Sequence, residues 1–176
     1  MPKIITAHRA QDEQHQAREY IRRHILLPSS ILGLIFMVSG LAAMVYQFFS
    51  LGYGGETFLE SIGLLLAGVL IGWLQTRYHH YLLDRFPGHF AARLRLFAKD
   101  PRKRSRKEPP VPRIDHAGRS IVPFGYAAGA ALLFGLSAIS SMLGHTYYVA
   151  AFLIPWMGFF WAKVYFWRSV LLEGGR

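Results

Sequence analysis

Four long apolar segments dominate the pattern of hydrophobic and polar positions along the chain. Each has 20 to 23 residues, and they cover residues 29–50, 57–76, 121–143 and 147–167. At about 1.5 Å per residue, each is long enough to cross a hydrocarbon core of about 30 Å as a helix. The connections 51–56 and 144–146 are so short that consecutive helices must return antiparallel. The pattern therefore predicts an all-α polytopic membrane protein, a four-transmembrane-helix bundle built from two antiparallel hairpins.

The segments outside these spans are residues 1–28, 77–120 and 168–176. In the N-terminal tail the apolar positions Ala17, Ile21 and Ile25 recur at helical spacing, with arginines elsewhere around the helix. This spacing fits either a solvated, partly helical tail or an amphipathic helix lying in the membrane interface. Pro28 suits a break before the first span, or its opening turn.

The long loop 77–120 divides into two parts. Its first half keeps helical apolar spacing at Phe86, Phe90 and Leu94, interrupted by Pro87 and Gly88. This predicts a continuation of the second helix, a bend, and a short helix lying at the membrane surface. Residues 100–113 are charged and proline-rich without an apolar period, and are expected to be an extended or disordered linker.

The distribution of positive charge predicts the orientation. Of the twenty Lys and Arg residues, five lie in 1–28, twelve in 77–120 and three at or beyond Lys163, while the two short turns have none. Positive charge is concentrated on the cytoplasmic side of membrane proteins. We therefore expect a multi-pass protein with both termini and the long loop in the cytoplasm, in a bacterial inner membrane. An uncleaved N-terminus is expected as well, because the first apolar run begins late and is too long for a signal peptide.

Glu60 is the only acidic residue in the four apolar segments. It lies near the outer end of the second span, where a carboxylate can reach water and is also stabilised by the positive N-terminal end of the helix dipole. The alternative is proton or cation coupling within a transport path, with Gln75 on the same helix side. A wet cavity shared by Glu60 and Gln75 would favour transport, whereas an outer-surface position for Glu60 would favour a boundary role.

Small residues form two candidate helix-packing faces. Such faces let helix backbones approach closely in membranes. They contain Gly63, Ala67, Gly68 and Gly72 in the second span, and Gly125 and Gly129 in the third. These faces predict packing within the bundle or, alternatively, docking of another subunit.

The basic cytoplasmic side is the third candidate site. The loop 77–120 has twelve basic and four acidic residues, a net charge of +8. The residues predicted to contact lipid or a partner are Arg22, Arg23, Arg102, Lys103, Arg104, Arg106 and Lys107. Beside membrane spans, anionic headgroups of the cytoplasmic leaflet or an acidic partner surface are favoured over nucleic acid.

Several kinds of chemistry have little support. Without cysteine, the chain has neither disulfides nor thiolate ligands. All eight histidines lie outside the apolar spans, which argues against a haem held between helices. A surface metal site would need His79, His89, Asp84 and also His116 to converge. No phosphate-binding loop, metalloprotease motif or nucleophile elbow is present, so we predict no cofactor, metal or enzymatic activity.

The predicted function is that of a non-catalytic integral membrane protein. We expect an accessory, scaffold or assembly subunit that contacts anionic lipid and other integral membrane subunits or a second copy of itself. The alternative is a small oligomeric transporter or channel that uses Glu60 and Gln75.

Overall fold

The computed structural model describes residues 14–98 and 120–173, and these residues are almost entirely helical. The helices are α1 (Gln14–Ser50), α2 (Gly55–Arg85), α3 (Pro87–Ala98), α4 (Val122–Leu143) and α5 (Tyr148–Glu173). The predicted all-α class is confirmed for this part of the chain. The linker 100–113 lies outside the described residues, as do the basic residues Arg102, Lys103, Arg104, Arg106 and Lys107.

Helices α1, α2, α4 and α5 are each long and apolar enough to cross a membrane. Much of their outward surface consists of large apolar side chains: Leu34, Val38 and Leu41 of α1 are all more than half exposed, as is Leu70 of α2. An exposed apolar surface of this extent is unfavourable in water. The composition of the helices is thus consistent with a multi-pass membrane protein.

Helix α1 is continuous from the N-terminal tail through the first span. Of the two roles expected for Pro28, the opening turn of the first span fits and a break does not: Pro28 lies in the first turn of the regular α-helical stretch Leu27–Ser50, and the helix is continuous through it. A π-helical turn, Arg22–Leu26, immediately precedes it, and the Leu27 N–H donates to the Arg22 carbonyl. Proline lacks an N–H, and its ring crowds the preceding helical turn. A π-helical turn before the proline is wider than an α-helical one, so it leaves more room for the ring. Residues 14–27 and the first span therefore form one continuous helix.

The apolar faces expected to lie on the membrane pack against each other instead. Ala17 and Ile21 of α1, Leu82 of α2, Phe90 of α3 and Trp167 of α5 belong to one buried cluster. This cluster joins the tail, the extension of α2 and the short helix α3 into a small core at one end of the bundle. The apolar positions of residues 14–27 and α3 are therefore buried in protein, and the position of these helices relative to a membrane surface stays a prediction.

The last helix of the chain occupies the centre of the bundle. Helix α5 packs most extensively against α2, next against α1, and then against α4. The part Leu27–Ser50 of α1 makes few direct contacts with α2, one of them near the turn that joins the two helices, where the Ser61 hydroxyl lies 3.8 Å from the Met44 sulfur. The first two spans therefore do not pack side by side along their length, because α5 lies between them.

Candidate functional site

Glu60 is the centre of a polar network at the end of the bundle that carries the two short turns. One carboxylate oxygen accepts hydrogen bonds from the hydroxyls of Ser140 (3.0 Å) and Thr146 (2.8 Å). The other lies 2.8 Å from Nδ1 of His145. Ser140 and Thr146 are buried, and the Glu60 side chain is only 17% exposed. Three groups from α4 and the turn after it thus converge on one carboxylate of α2.

His145 joins Glu60 to a second carboxylate. Its Nε2 lies 2.8 Å from a carboxylate oxygen of Glu56, on the side of the ring opposite Glu60. An imidazole with a carboxylate at each nitrogen is best satisfied when both nitrogens carry protons and donate. The hydrogen bond with Glu60, aided by the charges of Glu56 and Glu60, raises the pKa of His145 above its usual value.

This arrangement predicts a pH-dependent contribution to stability. The protonated His145 stabilises the fold fully below its unfolded pKa of about 6.5, and the contribution is lost as the pH rises through the raised folded value. The thermal unfolding midpoint in detergent should therefore fall less between about pH 6 and about pH 9 in His145→Gln than in the wild type. His15→Gln, at an exposed position of α1, is the control and should behave as the wild type. An equal fall in His145→Gln and the wild type would contradict this role.

Gln47 connects the same turn to α1. Its Nε2 donates to the His145 carbonyl (2.7 Å), and its Oε1 accepts from the Tyr147 N–H (2.9 Å). The Thr57 hydroxyl donates to the same His145 carbonyl (2.8 Å). Gln47 and Thr57 are both buried, so their polar groups are used within the protein. Sequence reasoning missed Gln47, although a lone amide one turn from the end of an apolar span was a usable signal.

Three glycines form a close backbone contact between α2 and α5, here called the glycine seam: Gly68, Gly72 and Gly158. A Cβ added at Gly68 would lie 1.9 Å from the Pro155 carbonyl oxygen, and one at Gly72 would lie 2.5 Å from that of Phe159. From the other side, a Cβ at Gly158 would lie 2.4 Å from the Leu65 carbonyl oxygen. No side chain fits at these positions while the two backbones keep this separation.

The other predicted small-residue positions lie outside this seam. The buried stripe of α2 consists of Thr57, Ser61, Leu64, Gly68, Gly72 and Thr76. Gly63 is therefore off the packing face: it is exposed, with nothing near its Cβ position, and Ala67 is half-buried. Gly125 also faces open space, whereas a Cβ at Gly129 would lie 3.2 Å from a methyl group of Ile71. Gly63 and Gly125 thus pack against no helix among the described residues, and the alternative for them, docking of another subunit, stays a prediction.

Gln75 lies in a different environment from Glu60. It lines a largely apolar groove of about 640 Å³ between α2, α4 and α5, here called the Gln75 groove. The buried Oε1 of Gln75 has no hydrogen-bond partner in the described part of the chain. Glu60 and Gln75 are separated by fifteen positions, or about 22 Å along the helix, and the glycine seam lies between them. The two residues do not form one polar site.

Polar and basic groups surround the other end of the bundle. Nε2 of His79 lies 3.2 Å from the Tyr126 hydroxyl, and the Lys163 ammonium lies 4.3 Å from the centre of the Phe159 ring. Arg22 and Arg23 are exposed, and Arg23 forms an ion pair with Glu19 at 2.7 Å. Among the side chains that the structure describes, no three His, Asp or Glu groups converge as metal ligands. His116, one member of the predicted metal group, lies outside the described residues.

No protein-family model matches the chain, and no curated protein or solved structure is significantly similar to it.

Proposed function

We propose that the chain is a multi-pass integral membrane protein that acts as a non-catalytic accessory, scaffold or assembly subunit. Both termini and the loop 77–120 would be cytoplasmic, and the Glu60 network would lie at the outer face. The basic side would contact anionic lipid of the cytoplasmic leaflet, with other membrane subunits or a second copy as partners. The four apolar helices and the one-sided charge distribution support this arrangement.

The observation that carries the proposal is the separation of Glu60 from Gln75 by close packing. A transport path using both residues would need a continuous polar route along α2. Instead, both oxygens of Glu60 are engaged by the outer turn and α4, and the α2 backbone contacts α5 directly at Gly68 and Gly72. This geometry favours a static, tightly packed bundle over a transporter or channel.

The outward surface of α4 is an exposed apolar surface on which such a subunit can bind partners. Of this helix, the described part of the chain buries only Leu133, Ser137 and Ser140. Phe124, Ile139 and Met142 are all more than half exposed on the same helix. In a membrane this helix would be available to lipid or to apolar helices of another subunit.

The test is purification of the full chain from its native membrane in mild detergent, followed by mass spectrometry of co-purifying proteins. An accessory subunit should retain a defined set of membrane proteins in stoichiometric amounts. Isolation as a homo-oligomer without any other membrane protein would count against the accessory role, more so if the oligomer mediates ion flux in proteoliposomes that Glu60→Gln or Gln75→Leu abolishes. Glu56→Gln is the matched control for that assay, because Glu56 is 75% exposed at the same end.

A further inference from the structure

The Gln75 groove occupies only one half of the bundle. Along α4 its lining begins at Val122, the first residue of the helix, and ends at Leu133. These residues are eleven positions apart, or about 16 Å of helix. This is about half of a hydrocarbon core of about 30 Å, so the groove matches the depth of one leaflet. Beyond Leu133, Ser137 and Ser140 are buried, so α4 packs directly against the bundle and the groove ends there.

The lining of the Gln75 groove is apolar, and part of its space exists because position 125 is a glycine without a side chain. Leu74, Trp156 and Phe159 form much of the wall, and Gly125 lies in it with nothing within 4 Å of its Cβ position. The volume of about 640 Å³ falls within the range of about 300–1,000 Å³ of small-molecule sites. A hydrocarbon chain therefore suits the groove, whereas a partner transmembrane helix would need a contact surface along the full bilayer depth.

A cation lies beside the wall of the groove: Lys163 is not itself a lining residue, but its ammonium is 4.3 Å from the centre of the ring of Phe159, which is one. Lys163 follows Phe159 by one helical turn, so it lies on the same face of α5 as the groove wall. It is half-buried, and no carboxylate among the side chains that the structure describes (residues 14–94 and 120–168) forms an ion pair with it. Tyr126 lines the groove at the end near Val122, and its hydroxyl contacts His79. An ionisable side chain placed this deeply is costly unless it has a partner.

We infer that the Gln75 groove binds one acyl chain of an anionic phospholipid from the cytoplasmic leaflet, with the lipid phosphate at Lys163 and the Tyr126 hydroxyl. The chain supplies the apolar surface that the groove lacks, and the phosphate supplies the missing counter-charge of Lys163. The site is one leaflet deep and has its cation at the cytoplasmic end, as a cytoplasmic-leaflet lipid requires. This inference rests on the proposed membrane orientation and gives the proposed lipid contact a defined site.

The experiment titrates the purified full chain in detergent with two lipids that have the same dioleoyl chains, phosphatidylglycerol and phosphatidylcholine. We expect phosphatidylglycerol to raise the thermal unfolding midpoint and to give a one-to-one adduct in native mass spectrometry. Phosphatidylcholine should need at least about fivefold higher concentration, since one lysine–headgroup contact contributes on this order. Glycerol 1-phosphate, which has no acyl chain, should not stabilise the protein.

Two variants and their matched controls test the site itself. Lys163→Met should weaken phosphatidylglycerol binding about fivefold, whereas Arg77→Met, which removes an exposed cation stacked on Trp73, should not. Gly125→Leu should fill the groove and abolish the adduct. Gly135→Leu, also at an open position of α4 but outside the groove, should retain it.

Equal binding of the two lipids, stabilisation by glycerol 1-phosphate alone, or unchanged binding by Lys163→Met would overturn the inference. If Gly125→Leu does not fold, the comparison of the two lipids and the Lys163→Met variant still test whether the groove binds an anionic phospholipid. Because these measurements use the isolated chain, their failure leaves the co-purification test intact. Stoichiometric partners without a phosphatidylglycerol adduct would support the accessory subunit and reject the lipid site.

Discussion

Replacing Gly68 by alanine should destabilise the bundle by about 3 kcal/mol or more, at the upper end of the range for overpacked sites. The added methyl group would lie 1.9 Å from the Pro155 carbonyl oxygen, so α2 and α5 would have to separate. Backbone cannot rotate away as a side chain can. The separation would also loosen the contacts of Gly72 and Gly158. The measurement is the free energy of unfolding in mixed micelles titrated with a denaturing detergent.

Gly63→Ala on the same helix is the matched control. Nothing lies within 4 Å of a Cβ at this position, and alanine has a better helix propensity than glycine by about 1 kcal/mol. This variant should be as stable as the wild type or more so. Equal destabilisation at both positions would show that the effect is general to α2, and would contradict the close contact at Gly68.

Glu60→Ala should cost about 2 kcal/mol or more, because the buried hydroxyls of Ser140 and Thr146 would lose their acceptor. Glu60→Gln keeps one acceptor oxygen but loses the charge that faces His145, so its effect should be smaller. Both values can be measured by the same unfolding titration. Loss of order in the turn 144–147 should accompany them, since this turn depends on Glu60 and Gln47 for its hydrogen bonds.

Glu56→Gln separates the network from a general effect of charge. Glu56 also contacts His145, but its side chain is 75% exposed, and its replacement should change stability by no more than about 0.5 kcal/mol. A large effect of Glu56→Gln, or a negligible one of Glu60→Ala, would be inconsistent with Glu60 as the centre of the network.

The sequence was sufficient to predict the four apolar helices, because the length and polarity of each span are local properties. It also marked Gly68 and Gly72 as small residues, but not their partner. Gly158 lies alone among Trp156, Phe159 and Phe160, and only the three-dimensional crossing brings it to α2. The central position of α5 was unpredictable for a related reason. Because the four helices are apolar on most sides, their sequences give little indication of which helices pack against each other.

The polar network illustrates a different limit. Glu60 is a rare charge in an apolar span, yet its partners are a serine, a threonine and a histidine about eighty residues away. Such residues are ordinary near the ends of spans. Their common function depends on the turn after α4 folding back over α2, which no periodicity predicts.

The position of α5 has a consequence for biogenesis. The helix against which both α1 and α2 pack is made after both of them. At about 5–20 residues per second, several seconds separate the completion of α2 from that of α5. During this interval the first two spans lack their common neighbour, and the glycine surface of α2 has no backbone to contact. The close backbone contact at Gly68 and Gly72 therefore forms only after α5 has been made.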